Sequence, residues 1–135
     1  MTKKTDNEFL EENERFERGH ALLNKIHGST GKNVLEGISE LSPDLSKFIT
    51  EYAFGDIYCR EALGLRERQI ATIASLITLG GAETELKVHM KAGLNVGLTK
   101  EEIIEIILQM SLYAGFPRAI HAIKIAKEVF DELNK

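Results

Sequence analysis

Glu85 and His89 lie four positions apart in a stretch of helical spacing, so their side chains share a face. A carboxylate beside an imidazole raises its pKa and suits it to deliver a proton near neutral pH. The pair also fits an ordinary surface contact, with Glu85 simply near a helix start. Metal ligation needs at least a third ligand. The other helical candidate is His121, and no spacing ties it to His89, so no metal is expected. His121, between Ile120 and Ala122, reads either as a packed, hydrogen-bonded histidine or as a further member of a site. Cys59 precedes Arg60, whose charge favours a thiolate; a lone cysteine equally serves as a small hydrophobe. Arg60, Arg66, Arg68 and Arg118 are forks for carboxylates. Two of them meeting in one pocket would imply an anionic substrate, whereas each alone is a surface charge. Tyr113, ahead of Ala-Gly-Phe-Pro, reads as a packing residue or an acid. Phosphate-cradling glycine loops, nucleophile elbows and zinc spacings are absent.

The elements that must position these residues are helical; strand-type alternation is missing. A first helix is expected from about Asp6 to Ile26, with Phe9, Phe16, Leu23 and Ile26 on its apolar stripe, stopped by Gly28. A short second helix runs from about Lys32 to Glu40. Ser42-Pro43-Asp44 is an N-cap followed by proline at the first helical position, opening a third helix with Leu45, Phe48, Ile49 and Tyr52 facing inward. Asp56 to Leu65 is expected to be a connector of short turns. The fourth helix starts near Arg66, carries Ile70, Ile73, Ala74 and Ile77 inward, and ends at Gly80-Gly81. The fifth spans about Glu83 to Asn95 and stops at Gly97.

The sixth has the best-specified start. Thr99 caps, Glu102 completes a capping box, and Leu98 with Ile103 forms a hydrophobic staple. Its body, Ile103 to Leu112, is apolar nearly all round, which normally means burial on every side. In so small a chain, that implies cover from a neighbouring subunit. Gly115 ends it, Pro117 opens the seventh helix, and Ile120, Ile123, Ala126, Phe130 and Leu133 form the expected stripe.

The chain has 135 residues, of which 43% are hydrophobic, enough for a packed core and expected to form one domain over 1–135. A net charge of -4 argues against nucleic acid as a partner. One cysteine excludes an internal disulfide, the opening residues are polar, and no stretch approaches a membrane span; a cytoplasmic protein without membrane association is expected.

Four phrases carry a resemblance. Leu65-Arg66-Glu-Arg68-Gln69-Ile70, Glu85-Leu-Lys-Val-His89, Asn95-Val-Gly97-Leu98-Thr99-Lys-Glu101-Glu102-Ile and Tyr113-Ala-Gly115-Phe116-Pro117 are similar to the core of the carboxymuconolactone decarboxylase family, strongest over 65–126. The resemblance implies an all-α fold, shared with the alkylhydroperoxidase D proteins, with a central helical hairpin. It also implies homo-oligomers, trimers or hexamers, with sites near subunit contacts. The peroxidase branch carries Cys-x-x-Cys ahead of its histidine; those positions here are Ala82 and Glu85, and its relay glutamate falls near Gln69. Only Cys59 is left for thiol peroxidase chemistry, which is the alternative activity, alongside a non-catalytic binding role. The decarboxylase branch implies loss of carbon dioxide from a small anionic lactone such as 4-carboxymuconolactone, with no cofactor. His89 would deliver the proton or stabilise the enolate, Glu85 would orient it, and Arg60, Arg68, Arg118 and His121 are the substrate-binding candidates. The family often has asparagine at the position of His121.

Overall fold

Glycines and capped starts divide the chain into helices. The computed structural model describes residues 6–135, with side chains from Glu14 onward, so the side chain of Phe9 lies outside the described ones. All regular structure among the described residues is helical: α1 Asp6–His27, α2 Ser29–Leu41, α3 Pro43–Phe48, a π-helix Ile49–Tyr58, α4 Leu65–Leu79, α5 Glu83–Asn95, α6 Lys100–Ala114 and α7 Phe116–Leu133. No described helix is long and apolar enough to cross a membrane. The helices fall into two compact units, divided between Ala62 and Leu63.

In the first unit, α1 packs on the π-helix. Gly28, at φ 59°, allows α2 to begin directly after α1. Ser42 caps α3 as expected, its hydroxyl accepting from the Leu45 amide at 3.2 Å, with Pro43 in the first turn. After six residues the α-helix widens into the π-helix, replacing the short turns expected from Asp56; only 59–64 remain irregular. That changes which residues face inward. Leu45, Phe48 and Tyr52, expected inside, are exposed, while Thr50, Glu51 and Phe54 are buried. A π-helix bonds i to i+5, so a wheel drawn at 3.6 residues per turn loses register across it.

Two glycines bring backbones together here. A Cβ on Gly19 would fall on the Thr50 carbonyl oxygen, and one on Gly55 would lie 2.6 Å from the Arg15 carbonyl oxygen. The Gly55 carbonyl in turn accepts from Arg18 Nε at 2.7 Å and from Cys59 Sγ at 2.9 Å. Arg15 grips Asp56 with Nε and Nη2, at 2.9 and 2.6 Å, and reaches the buried Glu51 at 3.4 Å. The hydrogen bond from Arg15 holds the Asp56 carboxyl below its ordinary range.

In the second unit, α4 and α5 form a helical hairpin closed over by α6 and α7. Gly80 and Gly81 make the hairpin turn with φ of 68° and 69°, a region open to glycine. The core is Ile73 and Ile77 of α4, Leu86 and Met90 of α5, Leu98, Ile103 and Ile107 of the α6 start, and Ala122, Ile125, Ala126 and Val129 of α7. The capping box is complete. Thr99 Oγ1 accepts from the Glu102 amide at 3.1 Å, and Glu102 Oε1 accepts from the Thr99 amide at 3.0 Å. The other Glu102 oxygen pairs with Arg66, tying the first turn of α4 to that of α6.

The stripe of α7 differs from expectation. Ala119, Ala122, Ile125, Ala126 and Val129 are buried, whereas Ile120, Ile123 and Leu133 are exposed. Three of those five inward residues are alanines, which let helices approach closely, while Ile120, Ile123 and Leu133 sit on the outer side. They join Ile104, Leu108 and Leu112 of α6, also exposed in the single chain.

Candidate functional site

The α4–α5 hairpin brings Gln69 and His89 together across 20 residues. His89 is half-buried on the middle of α5, and its Nδ1 lies 3.1 Å from Oε1 of Gln69, which is fully buried on α4. Gln69 stands among Ile70, Ile73 and Ile77 on a helix otherwise packed by aliphatic side chains. No periodic signal marked it as a site residue; the one sequence cue was the family relay position, which falls beside it.

The other expected residues take separate places. Glu85 is exposed one turn before His89 and makes no hydrogen bond or ion pair among the described residues. His121, on α7, lies with Nε2 at 3.4 Å from Glu83 Oε1, at the first turn of α5. Arg118, also on α7, is exposed, and its guanidinium lies against Gly80, where a Cβ would collide with it. Arg68 is half-buried on α4, next in sequence to Gln69. Arg66 is held by Glu102. Tyr113 is exposed at the end of α6. Arg60 and Cys59 belong to the first unit, where the cysteine thiol is half-buried and bonded to the Gly55 carbonyl.

Charge around His89 is partly neutralised within the helices. Lys87 and Lys91 flank it on α5, and both pair with Glu132 of α7, Lys91 at 2.6 Å. The hydrogen bond from Lys87, with a second from Lys91, pushes the Glu132 carboxyl down to about 2, and Lys87 is raised in return. These ammonium groups are engaged by a carboxylate, as Arg66 is by Glu102. A groove of about 680 Å³ runs along α6, but it presents Glu102 and Glu105 and has the wrong sign for an anion. Among the described residues no three His, Cys, Asp or Glu side chains converge as a metal site.

An all-α hairpin domain that holds a histidine on its second helix through a buried side chain of its first belongs to the alkylhydroperoxidase D-like fold. The chain belongs to the carboxymuconolactone decarboxylase family, whose model matches residues 43–128. It is 36% identical over 125 residues to the 4-carboxymuconolactone decarboxylase of Acinetobacter baylyi, covering 92% of each chain. It is 33% identical over 99 residues to an uncharacterized 15.0 kDa protein of Paracoccus denitrificans, covering 73% of this chain and 74% of that one. It is 28% identical over 119 residues to the nitrosuccinic acid decarboxylase npaB of Metarhizium robertsii, covering 87% and 82%.

Proposed function

We propose that the chain is a cofactor-free decarboxylase-like lyase acting on a small anionic lactone such as 4-carboxymuconolactone. The observation that carries this reading is His89, half-buried and fixed through Nδ1 in a chain that matches a named decarboxylase over nearly its whole length. In the reaction the bond from ring carbon to carboxylate breaks and carbon dioxide leaves. The electron pair spreads through the conjugated lactone to its carbonyl oxygen, so the substrate is its own electron sink. Protonation of that dienolate at the carbon next to the lactone carbonyl, not at the carbon that lost the carboxylate, shifts the double bond and gives the enol-lactone. The protein must stabilise the transient enolate and supply that proton, which suits an imidazolium. Arg68, Arg118 and His121 are the groups of the same unit proposed to hold substrate carboxylates.

The active form in this reading is a cytoplasmic homo-oligomer, a trimer or hexamer. The apolar outer face of α6 and α7 supports it: Leu108, Leu112, Phe116 and Ile120 are each more than half exposed in one chain. An apolar patch of that extent marks an interaction surface.

The test is turnover of 4-carboxymuconolactone followed by proton NMR, with His89→Gln alongside. His89→Gln should lower kcat by ~10²–10⁴-fold while circular dichroism stays unchanged. Equal turnover in a folded variant would sink the role of His89. Nitrosuccinic acid is the second substrate to try, because a relative is named for its decarboxylation and it also places a carboxylate near an electron-withdrawing group. Preference for it over the lactone would move the substrate class without moving the chemistry.

A further inference from the structure

Gln69 is a costly residue where it stands. It has no exposed surface, its Oε1 serves His89 at 3.1 Å, and its Nε2 meets no acceptor among the described residues. A buried amide with an unmatched donor destabilises a fold, because the water it gave up is not replaced. Leucine or methionine would fill the same volume beside Ile73 without that cost. The side chain is therefore explained by what it does to His89 rather than by packing.

Resting on the lyase reading above, we propose that Gln69 is the positioning residue for His89. Its carbonyl oxygen keeps Nδ1 protonated in both charge states and makes Nε2 the nitrogen through which the transferred proton passes. A carbonyl oxygen only accepts, so the facing Nδ1 must carry hydrogen. With the amide turned over, its NH2 would face Nδ1. That suits a neutral ring with its lone pair there, but places N–H against N–H once the ring is protonated. A histidine that must be an acid in one step and neutral in the next is served by the oxygen, not the nitrogen. The partner's lack of charge matters as much. A glutamate here, as in the relay of the resembling peroxidase branch, would favour the imidazolium and hold back its proton. The amide orients the ring in the same way without that hold.

Long-range proton–nitrogen NMR of the 15N-labelled wild-type chain, without substrate, reads the tautomer directly. Neutral His89 should show a protonated Nδ1 and an unprotonated Nε2; the opposite tautomer overturns the proposal. This measurement succeeds or fails whatever the substrate is, so its failure is separable from failure of the lyase reading. Gln69→Leu should lose the Nδ1 preference and lower kcat by roughly 10–100-fold with KM little changed. Gln69→Glu should carry the descending, high-pH limb of kcat/KM upward by about 1 pH unit or more. Should the buried carboxylate prevent folding, Gln69→Met with the tautomer measurement stands in for it. Wild-type tautomer and wild-type pH limb in folded Gln69→Leu or Gln69→Met would leave the glutamine with packing alone.

Discussion

Replacing Gly19 with alanine separates two opposed effects of known size. Glycine within a helix costs about 1 kcal/mol relative to alanine, so propensity alone makes Gly19→Ala stabilising. The contact with the π-helix reverses the sign. The new Cβ would fall on the Thr50 carbonyl oxygen, 2.9 Å from the Thr50 carbonyl carbon and 3.0 Å from the Gly55 nitrogen. All three are backbone atoms and cannot swing aside as a side chain would, so α1 and the π-helix must part. Parting them stretches the 2.7 Å bond from Arg18 to the Gly55 carbonyl and the Arg15 grip on Asp56. Overpacking costs roughly 1–3 kcal/mol, and a weakened hydrogen bond adds about 1. Less the propensity gain, the net loss is roughly 1–3 kcal/mol. At about 3–5 °C per kcal/mol for a chain of this length, Tm should fall by roughly 3–15 °C. Gly37 supplies the internal control: it lies within α2, and nothing stands within 4 Å of its Cβ position. Urea titrations followed by far-ultraviolet circular dichroism should show Gly37→Ala more stable than wild type and Gly19→Ala less. Equal shifts in the two variants would refute the backbone-contact argument.

Thr99→Ala should cost about 1 kcal/mol, measured by urea denaturation, because it removes the acceptor for the Glu102 amide; Thr99→Ser should restore it, and a neutral alanine variant would count against the cap. Burial lowers the pKa of His27 from 6.5 to about 4, so between those values the unfolded chain binds more protons than the folded one. The stability linked to His27 is therefore complete above about pH 6.5 and lost progressively as pH falls toward 4. In His27→Phe that slope should disappear from the denaturation midpoint plotted against pH; an unchanged slope would assign it to another group.

Much of the fold was legible because it is written in local interactions. Thr99, Glu102 and Leu98 specify the start of α6 within a few residues, and Ser42-Pro43 does the same for α3. Gly80-Gly81 and Gly97 set the limits of α5, the helix that carries His89. Three features were not legible, each for a physical reason. The π-helix widens a segment whose composition is ordinary, so its onset at Ile49 leaves no mark and the faces of Phe48 and Tyr52 were misassigned. The inward face of α7 is alanine-rich, and a reading weighted toward bulky residues chose Ile120 and Ile123 over Ala119 and Ala122. Gln69 joins His89 through a contact between two helices, which local spacing cannot express. The Glu85–His89 spacing points along α5, whereas the bond the ring makes at Nδ1 runs across the hairpin to Gln69.

The position of Tyr113 has an optical consequence. The chain has no tryptophan and three tyrosines, so its ultraviolet emission comes from phenol rings alone. Tyr58 is stacked on Phe54 at 5.3 Å within the first unit, whereas Tyr113 stands 79% exposed between Leu112 and Phe116. Tyr113 lines the groove along α6 with Ile70, Gln109 and Leu112, so anything that fills that groove must shield its ring from collisional quenchers, while Tyr52, 63% exposed in the first unit, stays open to them. The quenchable fraction of the emission thus reports on the groove.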